Sequence, residues 1–329
     1  MSIEALAESI CGIAADYRIV ELGPFTPEHV IHWIEQFDAD ERLVVLSELK
    51  HVFEKTYFSE VKIKEFLKDV ATEEKLVGAD PAAFWRAAGI LKVQLGGASQ
   101  AEMLVHFDGV LNEHLGIALE DCQPSSDTFI YVDDAVFSGN RVRNDLKPWI
   151  ENLAPKKATV HVLVLAIHSN GEYYAHGHLQ QAATAVGKEI TIKWWRATTI
   201  ENQKFNRNKS EVFWPCELPD DPYVAQYVGM LTGGGYPPTL RARGETPKEG
   251  IFSSEDGRAA LEKALLRAGA RARSLCANLP QNARPLGYTP LRTLGFGSTI
   301  VTFRNCPNSC PLPFWAGAPW YPLFRRKTN

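Results

Sequence analysis

The sequence has no long hydrophobic run, no paired-cysteine motif and no strong excess of charge of either sign. No apolar stretch approaches the roughly 20 residues that a membrane-spanning helix needs. The first ten residues, MSIEALAESI, contain no basic region followed by an apolar one, as a secretory signal would. We therefore expect a cytoplasmic protein that makes no use of a membrane.

The six cysteines are scattered, and only Cys306 and Cys310 lie close together in sequence. They lack the short paired loops of a zinc site, so we expect reduced thiols. The segment between them is compatible with a redox or metal element and with a simple tight turn, because proline and asparagine favour turns. His176 and His178 likewise leave open a metal pair or two isolated histidines.

The formal charge of −4 hides an asymmetry along the chain. Residues 1–85 carry a net charge of −9, residues 86–235 one of −4, and residues 236–329 one of +9. This excludes a uniformly basic nucleic-acid binder. The basic end either binds an anionic ligand such as a nucleic acid or nucleotide, or pairs with the acidic head. The arginines concerned are Arg241, Arg243, Arg267, Arg271 and Arg273.

The length of 329 residues favours one large domain with appendages or two domains. Residues 1–85 are predicted to form a helical, winged-helix-like module, in which Thr26 and Pro27 begin one helix. Because this segment is acidic, docking of a partner protein is favoured over binding of DNA. Residues 86–205 are predicted to be an α/β core, and residues 206–329 an irregular, basic extension that completes it.

Strand and helix patterns alternate in the core, which predicts a parallel α/β sheet. We expect strands over residues 89–95, 128–132, 158–167 and 190–195. Three helices are expected between them: one capped by Ser99, one that includes residues 146–153, and one over residues 179–186. A strand over residues 298–304 and a helix from Glu255 to Cys276, capped by Ser253 or Ser254, are predicted in the extension.

The segment YVDDAVFSGNR, residues 131–141, carries the clearest chemistry. An apolar strand is expected to end in Asp133 and Asp134, followed by a five-residue loop to Gly139, where a helix begins. Backbone N–H groups at such a helix start bind phosphate, Ser138 adds a hydroxyl, and Gly139 permits close approach. Carboxylates do not bind phosphate, so they require hydroxyl donors or a metal. A sugar phosphate satisfies both halves of the motif.

This segment resembles the signature of the type I phosphoribosyltransferases, with Ser138 at the usual threonine. The resemblance implies a phosphoribosyltransferase-like core in which Asp133 and Asp134 are the catalytic pair and contact the ribose hydroxyls of phosphoribosyl pyrophosphate. It implies Mg²⁺ held through the substrate, with no direct protein ligand. Two departures from the signature are Ala135 and Phe137. The implied ribose-phosphate site is Asp133, Asp134, Ala135, Val136, Phe137, Ser138, Gly139, Asn140 and Arg141.

The same family has an earlier loop that binds the pyrophosphate. Its candidates here are Gly96, Gly97, Ala98 and Ser99, although no basic residue lies between Gly96 and Gln100. His168 follows the strongest predicted strand at the edge where ligands bind. It either contacts the substrate or is a structural histidine at the end of the strand.

A resemblance over nearly the full chain is carried by TPEHVIHWIEQF, GASQAEML, YVDDAVFSGNRV and FRNCPNSCPLPFW. These segments are similar to those of phosphoribosyltransferase-like effectors of bacterial conflict and anti-phage systems, including retrons. The resemblance implies a transferase that acts on a nucleotide or nucleic-acid acceptor, with a protein partner bound by the acidic head. Two alternatives are a catalytically inactive nucleotide-sensing module and a structural partner in a defence complex. No general base can be named from the sequence.

Overall fold

A computed structural model describes residues 1–125, 127–244, 250–288 and 293–327. The chain divides into two compact units, and the second is the continuous segment Val61–Glu201. The first unit combines Met1–Glu60 with the residues from Asn202 onward. This grouping differs from the three predicted segments, because the first 60 residues pack with the C-terminal part and the rest of the head belongs with the α/β core.

The helices and strands of both units are numbered here in chain order. They are α1 (Ile3–Ile13), α2 (Ile19–Leu22), α3 (Pro27–Ile34), α4 (Arg42–Thr56), β1 (Tyr57–Phe58), α5 (Glu60–Thr72), α6 (Glu74–Val77), α7 (Pro81–Ala87), β2 (Gly89–Ile90), α8 (Ser99–Leu115), β3 (Thr128–Val136), α9 (Asn140–Asn152), β4 (Lys157–His168), α10 (Ser169–Ala185), β5 (Glu189–Ile200), α11 (Pro222–Gly233), α12 (Glu255–Leu275), β6 (Val301–Thr302) and α13 (Leu312–Trp315). In the described part of the chain, no helix is both long and apolar enough to cross a membrane.

The first unit is mainly helical and contains both ends of the described chain. Thr26 caps α3 as predicted, since its hydroxyl accepts a hydrogen bond from the backbone of His29. The predicted strand over residues 298–304 is reduced to β6, which pairs in parallel with β1. Because β1 takes Tyr57 and Phe58, α4 ends before them. The winged-helix character of the head stays a prediction.

Acidic residues of the head and basic residues of the tail form ion pairs within the first unit. The Arg267 guanidinium lies 2.5 Å from Asp38 and 2.9 Å from Glu41, and Lys327 lies 3.2 Å from Glu21. These pairs support the interpretation in which the two ends neutralise each other.

Arg241, another of the predicted basic residues, has a fully buried side chain. It pairs with Glu262 at 2.8 Å and Glu255 at 2.5 Å, while Arg258 pairs with Glu262 at 2.8 Å. Arg241 therefore holds the first unit together and cannot contact a nucleic acid in this conformation.

The second unit contains a four-stranded parallel sheet with the order β2-β3-β4-β5. Its register places Tyr131 beside Val162 and Val162 beside Trp194. This confirms the predicted α/β class with a parallel sheet. Apolar residues of α9 and α10 pack on the sheet and bury Val160, Val162 and Val164.

Several boundaries in this unit differ from the predicted ones. β2 is two residues long instead of seven, because the backbone amides of Val93 and Gln94 donate to the side chain of Gln100 rather than continuing a strand. Helix α10 begins at Ser169, ten residues before the predicted start. Its first half contains Gly171 and Gly177, which weaken the helical pattern in the sequence.

Candidate functional site

Two loops and one helix start of the second unit follow the carboxyl ends of neighbouring parallel strands. They are residues 91–98 after β2, residues 137–139 after β3, and the start of α10 after β4. In parallel α/β sheets, ligands bind at this edge. The residues predicted as the ribose-phosphate site and the pyrophosphate loop therefore share one end of the sheet.

Both acidic residues of the signature lie inside β3, which continues to Val136. The predicted five-residue loop is thus wrong, and only Phe137, Ser138 and Gly139 separate the strand from α9. The strand continues because its backbone pairs with β4 as far as Val136. Since side chains alternate along a strand, Asp133 and Asp134 point to opposite faces of the sheet. Asp133 is buried, whereas Asp134 is half-buried.

Asp133 accepts hydrogen bonds from three neighbours. The backbone amide of Asp134 donates to Oδ1 at 2.9 Å, the Tyr131 hydroxyl lies 3.2 Å from Oδ2, and the Ser99 hydroxyl donates to the same carboxyl. Burial, followed by the negative charge of Asp134, raises the pKa of Asp133 to about 7, although these hydrogen bonds oppose the rise. Through this contact, the predicted pyrophosphate loop, which includes Ser99, touches the acidic pair of β3.

The short loop after β3 is held tightly against the first turn of α10. Gly139 has a φ of +77° and is the N-cap of α9. A Cβ atom there would lie 2.2 Å from the backbone oxygen of Gly171, and a Cβ on Gly171 would lie 2.0 Å from the oxygen of Phe137. Glycine is required at both positions, at Gly139 also because of its backbone conformation.

Ser138 and Asn140 are linked across this turn. The Ser138 hydroxyl oxygen accepts from the Asn140 side-chain nitrogen at 3.2 Å and from its backbone amide at 3.4 Å.

Two other residues of the predicted ribose-phosphate site, Ala135 and Arg141, differ in exposure. Ala135 is buried, and its amide donates to the Asp134 carboxylate at 2.7 Å. Arg141 is exposed in the first turn of α9.

Phe137, the aromatic departure from the family signature, packs against His168. Their ring centroids are 5.2 Å apart. His168 Nδ1 lies 3.0 Å from the carbonyl oxygen of Val136 and donates to it, since a carbonyl only accepts. Burial lowers the pKa of His168 to about 4, and the ring is fully buried and neutral at pH 7. These contacts favour the structural interpretation of His168 at the end of β4.

The earlier loop is organised by a pair of glutamines. Gly97 has a φ of +86°, and the N-cap of α8 is Ala98, so the predicted cap Ser99 is instead the first helical residue. Gln94 Oε1 accepts from the backbone of Gln100, and Gln94 Nε2 donates to the Ser99 hydroxyl oxygen at 2.9 Å. Gly96 and Gly97 remain exposed.

Sequence reasoning did not identify Tyr131 or Asp145 as residues of this site. The Tyr131 hydroxyl lies 2.9 Å from Asp145 Oδ2 on α9, as well as near Asp133. The strand period of two already places Tyr131 and Asp133 on one face. The contact with Asp145 depends on how α9 packs on the sheet, and no sequence pattern indicates it.

The other predicted metal and redox candidates have ordinary structural roles. His176 Nδ1 accepts from the Trp194 indole at 3.3 Å. The backbone amide of Cys310 donates to Pro307 at 3.1 Å, which closes a tight turn. Within residues 1–125, 127–244, 250–288 and 293–327, no group of three or more histidine, cysteine, aspartate or glutamate side chains is arranged to hold a metal ion.

Comparison with known proteins found a match to one family. Neither the curated proteins nor the solved structures include a match to this chain. A family model described as PRTase-CE matches residues 30–326, which covers the site and most of both units. The chain therefore belongs to the PRTase-CE family, a phosphoribosyltransferase-like family.

Proposed function

We propose that the second unit binds a ribose-5-phosphate donor, either phosphoribosyl pyrophosphate or a nucleotide, and transfers or removes its glycosyl group. The observation that carries the proposal is the three-residue loop Phe137–Gly139, which opens α9 directly after the two carboxyls of β3. Gly139 lets this backbone turn sharply, and the start of a 13-residue helix favours a phosphate group.

In this proposal the 5-phosphate accepts hydrogen bonds from backbone amides between Ser138 and Asn140. Asp134 is half-buried and accepts from a ribose hydroxyl, while the buried Asp133 helps to orient the sugar. The backbone of Gly96 to Ser99 binds the diphosphate. Because the transition state resembles an oxocarbenium ion, catalysis relies mainly on positioning of the donor.

We further propose that Mg²⁺ binds through the donor's own oxygens rather than through protein ligands. The residues fit this arrangement: Asp133 already accepts from three protein donors, and Asp134 is the one signature carboxyl with exposed surface. When bound, Mg²⁺ would neutralise charge on the departing diphosphate. Ser99, the residue that follows the earlier loop, donates to the Asp133 carboxyl and so connects this loop with the acidic residues of β3.

The biological role that we propose is that of an effector in anti-phage defence, acting on a nucleotide or nucleic-acid acceptor. It rests on the resemblance of four separated segments to such effectors. The acidic head would bind a protein partner, and exposed arginines such as Arg243 and Arg271 would contact nucleic acid. Arg241 and Arg267 contribute less, because Arg241 is buried and Arg267 is mostly covered, whereas the ion pair of Arg243 with Asp256 is exposed.

One observation favours a second candidate, a nucleotide-sensing module without turnover. Asp133 is only 2% exposed and is committed to protein donors, so it presents little surface to a ribose. A site of this kind can still hold a phosphate on the Gly139 loop. In that case the acidic head would transmit ligand binding to a partner protein.

Calorimetric titration with phosphoribosyl pyrophosphate and Mg²⁺ tests the proposed site. Asp134→Asn and the double variant Asp133→Asn with Asp134→Asn are expected to bind about 10- to 100-fold more weakly, since a hydrogen bond to a charged group is lost. Asp108→Asn is the control, because its carboxylate caps a loop elsewhere in the second unit. Absence of binding to the wild type, or equal binding by all variants, would refute the ribose-phosphate site.

A second measurement separates the enzyme from the sensor. Consumption of the donor is followed with nucleotide and nucleic-acid acceptors, together with cellular nucleotide levels and plaque formation on expression. Turnover that disappears in Asp134→Asn supports the transferase. Binding without turnover under every condition supports the sensing module.

A further inference from the structure

The hydroxyl group of Tyr131 lies between two buried carboxyls. Its oxygen is 3.2 Å from Asp133 Oδ2 and 2.9 Å from Asp145 Oδ2. Tyr131 is fully buried, and each carboxyl-bearing residue is 2% exposed. A hydroxyl group carries one hydrogen, so it cannot donate to both oxygens at once.

The two carboxyls differ in the donors that surround them. Asp133 receives donors from Asp134 and Ser99 in addition to Tyr131. Asp145 Oδ1 is buried without a hydrogen bond of good geometry among the described residues, although the nearby Leu95 amide lowers its pKa. If both carboxyls were ionised, one of the Tyr131 contacts would join two acceptor oxygens in a buried place, which is costly.

One additional proton removes this conflict. A neutral Asp145 donates its proton to the Tyr131 oxygen, and Tyr131 then donates to an ionised Asp133. With the proton on Asp133 instead, the two hydrogen bonds run in the opposite direction through the same hydroxyl. No covalent bond other than O–H changes in either arrangement, and the total charge of the three side chains remains −1.

We propose that Tyr131 and Asp145 are positioning residues for Asp133, and that the three side chains hold one shared proton through the Tyr131 hydroxyl. The arrangement of donors around Asp133 places this proton preferentially on Asp145 when the ribose phosphate is bound and Asp133 orients its sugar. That last step rests on the proposed function, whereas the shared proton itself is a property of the ligand-free protein.

Burial favours retention of one proton by the three side chains, while the nearby charges favour Asp133 and the hydrogen-bond donors around Asp133 favour Asp145 as the group that carries it. Burial raises the pKa of both carboxyls, and the negative charge of Asp134 on β3 adds to the rise for Asp133. On α9, the positive charge of Arg141 opposes the rise for Asp145. Helix α8 contributes the neutral hydroxyl of Ser99. Burial also raises the pKa of Tyr131, which therefore keeps its hydrogen.

The first experiment uses the ligand-free, full-length protein labelled with ¹³C at aspartate carboxyl carbons. Its NMR titration should show a carboxyl that remains protonated above pH 6 in the wild type and in the control Asp108→Asn. This titration should disappear in Asp145→Asn, because the asparagine amide supplies a permanent donor to Tyr131. In Tyr131→Phe, the midpoint pH of the titration should shift. A wild-type spectrum in which every aspartate is ionised by pH 6 overturns the inference, whatever the ligand does.

The second experiment measures the affinity for phosphoribosyl pyrophosphate with Mg²⁺ between pH 7 and 9. The wild type should lose about tenfold in affinity as the shared proton leaves and the carboxyl pair repels. The affinity of Asp145→Asn should change less than twofold over this range, which a purely structural defect would not produce. Equal pH dependence in both proteins overturns the positioning role. If no protein binds the donor but the protonated carboxyl is observed, the proposed function fails and the shared proton stands.

Discussion

Gly139 and Gly171 lie so close together that a methyl group on either one would overlap backbone atoms of the other's segment. The hypothetical Cβ distances are 2.2 Å to the Gly171 oxygen and 2.0 Å to the Phe137 oxygen. The loop after β3 is therefore fixed by the first turn of α10 as well as by its own helix. This contact explains how a three-residue loop can hold one defined backbone conformation.

Gly171→Ala is expected to destabilise the protein by about 1 to 3 kcal/mol, because the loop or the helix must move to admit the methyl group. Binding of phosphoribosyl pyrophosphate should weaken in parallel. Gly177→Ala on the same helix is the matched control, since nothing lies within 4 Å of its Cβ position. It should leave stability unchanged or raise it by up to about 1 kcal/mol. Thermal unfolding and calorimetry measure both effects, and equal behaviour of the two variants would contradict the close contact.

Asp133 and His168 should make opposite contributions to stability over the same pH range. The pKa of Asp133 is raised from 3.8 to about 7, so its contribution falls as the pH rises from about 4 to 7. The pKa of His168 is lowered from 6.5 to about 4, so its contribution is lost as the pH falls through that window. Asp133→Asn should therefore make the free energy of unfolding rise more steeply with pH, and His168→Gln should make it rise less. Denaturant titrations at half-unit pH intervals measure the slopes, and unchanged slopes would rule out these contributions.

Removal of the Ser99 hydroxyl should change the titration of Asp133. Ser99 donates to the Asp133 carboxyl and thereby lowers its pKa, so Ser99→Ala should raise that pKa further. Carboxyl-carbon NMR reports the change directly. Ser9→Ala serves as the control, because its hydroxyl bonds within α1 in the first unit. A downward change or none in Ser99→Ala would show that this contact is not formed in solution.

The Arg241–Glu262 pair should dominate the electrostatic stability of the first unit. Glu262→Gln leaves Arg241 and Arg258 with buried, incompletely compensated charges and should cost about 3 kcal/mol or more. Glu189→Gln breaks the exposed pair with Lys157 and should have no measurable effect. Chemical unfolding distinguishes them. A small loss in both variants would mean that solvent reaches Glu262.

Elements with a strong local pattern were predicted closely. The sequence predicts a strand over residues 158–167, and β4 covers Lys157–His168, because eight of its 12 residues are apolar and ten are buried. The start of α3 follows in the same way from a threonine cap before a proline. Local sequence determines these elements, so local reasoning recovers them.

Elements that depend on distant contacts could not be predicted. β1 and β6 have two residues each and are separated by more than 240 positions, so neither shows a pattern of its own. The acidic motif was recognised, but the extension of β3 through Asp133 and Asp134 depends on pairing with β4. The meeting of Ser99, Tyr131 and Asp145 around Asp133 likewise arises from helix packing.

The first unit combines the chain segments that precede and follow the second unit in sequence, which affects the order of folding on the ribosome. Residues 61–201, which contain the whole four-stranded sheet, are translated before the C-terminal part of the first unit. Strand β1 cannot pair, nor Arg267 reach Asp38, until the later part of the chain has left the exit tunnel. Until then, the apolar side chains of α3 and α4 that pack on the C-terminal part, such as Trp33 and Phe53, stay exposed, and we expect a chaperone to bind the head at this stage.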